Sequence, residues 1–194
     1  MSRLLLYVDG SVHPNPGGLG GWAWVMVFES GEPGRGEREV VGQGHGPVLE
    51  PVGTTNNRAE VFAAVKAIEA ARGFGPVTVV SDSQYVAHGA ADGSGFIRRL
   101  NSDAWDVLKR TVMNHEGTPG EEGGGVVSWE WTPGHAKTPE NELADALATA
   151  GRLLGSLCGV GEKDACEWWR GGDLGAALRL VSLLYSKGVS DGTE

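Results

Sequence analysis

Two carboxylates stand where apolar runs end, and that placement is the first sign of chemistry in the chain. In LLLYVDGS, residues 4–11, the run ends at Asp9; in VVSDSQYV, residues 79–86, Val79 and Val80 lead to Asp82. Short apolar and β-branched runs of this kind read as buried strands. Two parallel strands that each deliver an Asp at the C-terminal end bring like charges side by side, at the end of an α/β sheet where ligands gather. Such a pair repels itself unless a cation lies between, so a divalent metal site is expected. Glu60, in the first turn of a helix, and Asp145, near the start of another, are the further candidates. Each carboxylate also has a structural explanation. Glu60 follows Asn57 by three and fits a capping box, an Asp at a strand end sets turns, and Asp145 is a favourable charge near a helix start. The order strand-Asp, helix-Glu, strand-Asp, helix-Asp is much more specific than any one member.

Periodicity and breakers define the elements that must position these groups. Residues 3–8 read as a strand, GSVHPNPGGLGG as a Gly/Pro-rich turn, and 22–28 and 38–44 as two more strands of an antiparallel meander. Residues 45–53 read as an irregular loop. A helix begins near Arg58, with Thr55, Asn56 and Asn57 as N-cap candidates and Val61, Phe62, Val65, Ile68 and Ala71 on one face. RGFGP stops it, PVTVVS is the fourth strand, and the crossover makes that strand parallel to the first. A short helix over 84–90 follows, then a helix over about 102–114 with Trp105, Leu108 and Val112 inward. A fifth strand in VVSWEW and a helix containing Glu142 to Ala148 complete the pattern. From about Arg152 the character changes. GEKDACEWWRGG is polar with a Trp pair, and 173–185 carries an apolar stripe, Leu174 to Tyr185, that must bury against the main domain or a partner.

A chain of 194 residues, 40% hydrophobic, can bury one sizeable core with a small appendage. It has no run of 18 or more apolar residues and no signal-peptide layout, so no membrane span is expected. Cys158 and Cys166 lack metal-type spacing, which suits idle thiols in a reducing cytoplasm. The 16 basic and 25 acidic residues give net charge −9, a caution against nucleic acid that a metal site would locally reverse.

YVDGSVHPNPGGLGGWA, TTNNRAE, VVSDSQYV and WEWTPGHAKTPENELAD together resemble the type 1 ribonuclease H family, in the family's order, over about residues 3–150. The resemblance implies a ribonuclease H-like α/β fold: a five-stranded mixed sheet, three antiparallel strands then two parallel, with helices on both faces. It implies endonucleolytic cleavage of the RNA strand of an RNA/DNA hybrid, leaving 3′-hydroxyl and 5′-phosphate ends. Asp9, Glu60, Asp82 and Asp145 become the ligands of two magnesium ions roughly 4 Å apart, with manganese able to substitute. Asp9 is the implied bridging ligand, and His135 in PGHAK the mobile-loop histidine that shuttles protons or helps product leave. Asn15, Asn56 and Gln84 match amides that read the RNA minor groove; an amide donates and accepts, which suits a 2′-hydroxyl. Thr55 and Asn101 match positions that hold a DNA-strand phosphate.

The chain departs from the family pattern in two places. Gly53 stands where many relatives place an Arg in the phosphate pocket. Between Gln84 and Asn101 a basic, Trp-rich protrusion is replaced by AADGSGFIRRL, with Arg98 and Arg99 as the nearby positive charges and Lys109 and Arg110 on the next helix. Weak, salt-sensitive hybrid binding is therefore expected of the core. A catalytic domain over 1–151 and an extension over 152–194, packed on it, are expected in a monomer.

Overall fold

In the computed structural model, residues 2–31, 36–49, 53–97, 100–117, 125–134 and 138–158 are described. The strands are β1 (Ser2–His13), β2 (Leu19–Ser30), β3 (Glu37–Val48), β4 (Val77–Ser81) and β5 (Val127–Trp131). The helices are α1 (Asn56–Ala70), α2 (Gln84–Ala91), α3 (Ser102–Glu116) and α4 (Pro139–Cys158), with a short 3-10 turn at Ser94–Ile97. The strands form one sheet in the order β3-β2-β1-β4-β5, antiparallel across β3, β2 and β1 and parallel across β1, β4 and β5. Among the described residues, no helix is long and apolar enough to cross a membrane.

β1 is the middle strand, and its unbroken apolar run follows from burial on both faces. Leu4, Leu6 and Val8 point into the larger core with α1 and α3, where Val61, Ile68, Trp105 and Leu108 pack. Leu5 and Tyr7 point the other way, onto Ala144, Leu147 and Ala148 of α4. Side chains such as Leu5, Leu6 and Ile68, each at most 1% exposed, contribute about 1.5–3 kcal/mol apiece by leaving water. This core fixes the register Val8↔Ser81 between β1 and β4. Asp9 is the next residue of β1, and Asp82 follows the last residue of β4.

The antiparallel strands run further than periodicity suggests. Pairing of β1 with β2 persists to His13↔Leu19, inside the run read as a turn, and β3 continues to Val48 through the stretch read as a loop. The glycines there accommodate neighbours rather than break the strand. A Cβ at Gly44 would lie 2.6 Å from the Trp24 ring, and one at Gly46 would lie 2.9 Å from the Trp22 ring. The two indoles therefore lie across β3. α4 also runs longer than expected, past residue 151 to Cys158, with Leu154 5% exposed. Residues 159–194, including the Trp pair and the apolar stripe, lie outside the described residues.

Candidate active site

Three elements deliver carboxylates to one point. Asp9 belongs to β1, and Asp82 follows the last residue of β4. Glu60 comes from the second turn of α1, one turn later than the sequence suggests because the helix starts at Asn56 rather than near Arg58. The α1 backbone lies against β1 because Gly10 has no side chain: a Cβ there would sit 2.4 Å from the Glu60 nitrogen. Thr55 caps that helix, its Oγ1 accepting from the Arg58 N–H at 3.4 Å. Carboxylate oxygens of Asp9, Glu60 and Asp82 all lie within 4.8 Å of one another. They sit in a cleft of about 260 Å³, with Asn56 and Glu60 on the α1 side and Asn141, Glu142 and Asp145 on the α4 side.

Asp82 is braced from several directions. Trp131 Nε1 donates to its carbonyl at 3.0 Å, and Asn141 Nδ2 donates to its Oδ2 at 3.4 Å. In the sequence Asn141 went unremarked and Glu142 was read only as a residue of the last helix. They lie four and three residues before Asp145 in PENELAD, so helical spacing puts them on its face. Asp145 is exposed and lines the same cleft, outside the tight trio but close enough to act on it.

The electrostatics of the trio are those of charge without compensation. Burial, then the negative charges of Asp82 and Asp145, push the Asp9 carboxyl up to about 8. Burial, then Asp9 and Asp82, hold the Glu60 carboxyl well above its usual range. Glu60 Oε2 is buried without a hydrogen-bond partner. The orphaned Glu60 oxygen, with Asp9 and Glu60 both driven toward neutrality, fits a divalent cation of the magnesium or manganese type, which would restore their charge.

The amides gather on the α1 side. The loop between β1 and β2 is tied to the start of α1 by Gly17 N–H to Thr54 carbonyl at 2.8 Å and Thr54 N–H to Gly18 carbonyl at 3.0 Å. That brings Asn15 Oδ1 to the Asn56 N–H at 3.2 Å. Gln84, exposed, opens α2 two residues after Asp82. Asn101 adopts φ 59 before α3 and donates from Nδ2 to the Tyr85 hydroxyl at 3.2 Å, where Trp105 Nε1 also donates at 2.8 Å. His135 lies outside the described residues, as do Arg98 and Arg99.

Gly53 has a steric cause. Its φ is +58, and a Cβ there would lie 2.0 Å from the Gly17 carbonyl oxygen. The knot that joins Asn15 to Asn56 thus leaves no room for any side chain, let alone an Arg.

The RNase H family model matches residues 1–152. Relatives named "Ribonuclease H" include those of Dinoroseobacter shibae, 37% identical over 155 residues, and Ralstonia nicotianae, 38% identical over 162 residues. Each alignment covers 78% of this chain and 92% of the relative. Among solved structures, RNase H1 from the archaeon Halobacterium salinarum is similar with a TM-score of 0.55 at 27% identity, covering 77% of this chain and 96% of that one. LC11-RNase H1 in complex with RNA/DNA hybrid shares the fold at 19% identity, with a TM-score of 0.55, covering 76% and 97%. The match over residues 1–152, the sheet order and the acidic cleft agree: the chain belongs to the RNase H family and is a ribonuclease H enzyme.

Proposed function

We propose that the chain hydrolyses the RNA strand of RNA/DNA hybrids using two magnesium ions held by Asp9, Glu60, Asp82 and Asp145. The observation that carries this reading is the convergence of three carboxylates within 4.8 Å, one with an orphaned buried oxygen. When bound, the cations would activate water for attack on phosphorus and offset charge on the leaving 3′ oxygen. Cleavage of the P–O3′ bond leaves a 3′-hydroxyl and a 5′-phosphate. Asp9, on which Glu60, Asp82 and Asp145 all act, would contribute to holding both cations. Gly10 sets the distance between β1 and α1 that Glu60 must span. Asn141 and Trp131 hold Asp82 in place. His135 takes up a proton or assists release of product.

Strand choice falls to Asn15, Asn56 and Gln84, whose amides both donate and accept and so match a 2′-hydroxyl. Thr55 and Asn101 receive a phosphate of the DNA strand in a pocket that lacks the Arg of many relatives. The enzyme acts as a monomer in the cytoplasm, where its two cysteines stay reduced. Labelled RNA/DNA hybrid, duplex RNA and duplex DNA, each supplied with magnesium, test the reading. Cleavage confined to the RNA of the hybrid is expected, and equal cleavage of duplex DNA or inertness toward the hybrid would remove it.

A further inference from the structure

Past Asp145, α4 carries a second polar group that the hydrolytic reading does not use. Thr149 and Arg152 stand four and seven residues after Asp145, so the three share one stripe of the helix. At about 1.5 Å per residue, Arg152 lies roughly 10 Å beyond Asp145 along the axis. Its backbone is set by close packing on the sheet. A Cβ at Gly21 would meet the Arg152 nitrogen at 2.2 Å, and one at Gly151 would meet the Gly46 carbonyl oxygen at 2.5 Å.

β1 follows the same path. Ser11, two residues after Asp9 and part of the cleft wall, has its hydroxyl 3.4 Å from Thr149 Oγ1. It also accepts from Arg152 Nε at 3.3 Å. That contact uses one of the guanidinium's five N–H donors. Among the described residues, the ion pairs of the other arginines are with Glu29, Glu130, Glu140 and Asp103, and none involves Arg152. A tethered, half-buried guanidinium therefore stands beside an acidic cleft, in a chain of net charge −9, with no carboxylate partner among the described residues.

We propose that Arg152 binds a phosphate of the cleaved RNA strand adjacent to the scissile one, on the α4 side of the cleft. This rests on the hydrolytic reading of that cleft. Arg152 is not among the residues lining the carboxylate cleft, which its tether Ser11 does line, so it stands at the edge of the cation ligands rather than among them. That position also favours the cleaved strand over the complement, which lies across the wide, shallow minor groove of an A-form duplex. Ser11 holds Nε and so orders the fork, leaving the terminal N–H groups for two phosphate oxygens, a pairing that lysine does not reproduce in geometry but does in charge. The contact supplies positive charge on the α4 side of a core that lacks both the basic protrusion and the phosphate-pocket Arg.

Binding of a fluorescent RNA/DNA hybrid in magnesium tests this, with Asp82→Asn preventing turnover and R152Q or R152K added to it. Loss of one phosphate contact should weaken binding about five- to tenfold at low salt and lower the slope of log K against log salt by about 0.7–0.9. R152K should keep the slope while losing part of the affinity. Equal slopes with and without R152Q overturn the proposal even if affinity or melting temperature falls, because a side chain that only braces Ser11 releases no counterions. Hydrolysis of the same hybrid by the wild-type chain reports separately on the underlying reading. Cleavage with equal slopes removes only the role of Arg152.

Discussion

At Asp9, burial and the charge of neighbouring carboxylates act in the same direction on one proton, and the consequence is measurable without any substrate. Its carboxyl titrates near 4 when unfolded and near 8 in the metal-free fold. The folded state therefore binds the extra proton between those values, so stability falls as pH rises through that window. His45 acts oppositely: burial lowers it to about 4, so stability is lost as pH falls from about 6.5 to 4. Between pH 6.5 and 8 the carboxylates dominate. Metal-free protein should melt at a lower temperature at pH 8 than at pH 6.5, and added magnesium should raise the melting temperature more at pH 8. A magnesium shift independent of pH would contradict the charge assignment. The four carboxylates were legible in the sequence because each has an Asp or Glu at a strand end or helix start. Asn141 and Arg152 were not, since their significance depends on how α4 lies against β4 and β1.

At the scale of elements, the loop between β1 and β2 and the start of α1 form one unit, closed by the hydrogen bonds of Thr54 to Gly17 and Gly18. Gly53→Arg tests whether the departure from the family pattern is a vacancy or a steric requirement. With φ at +58 and the Gly17 carbonyl oxygen 2.0 Å from a Cβ, the substitution should cost about 1–3 kcal/mol from strain and overpacking. Denaturant titration should show that loss, and hybrid affinity should not rise. A stable variant with tighter binding would contradict it. The sequence placed β4 and α1 well, because their patterns are strong and their breakers sharp. It shortened β1, β2 and β3 because glycine ordinarily marks turns, whereas here Gly10 lets α1 approach and Gly44 and Gly46 make room for Trp24 and Trp22. No local signal separates those two uses of glycine; the ring lies on the neighbouring strand.

For the whole molecule, the mixed sheet, the helices on both faces and the acidic cleft at the strand ends could be anticipated from crossover logic and motif order. The end of α4 could not, since Gly151 looks like a helix stop but is where the helix lies close to Gly46. A cut after Gly151 should therefore lower stability by at least the roughly 2–5 kcal/mol of a lost buried Leu, here Leu154. A cut after Cys158 addresses residues 159–194, which are expected to pack on the catalytic domain. A lower melting temperature with unchanged hybrid affinity is the anticipated result, whereas unchanged melting with weaker affinity would assign that segment to substrate grip. The most direct measurement of the central claim is the rate of RNA-strand hydrolysis in a labelled RNA/DNA hybrid, at saturating magnesium, by the wild-type chain, Asp9→Asn and Asp82→Asn. Cleavage by the wild type, leaving 5′-phosphate ends, and its loss in both variants despite intact folding is predicted; an inert wild type, or undiminished cleavage by either variant, would contradict it.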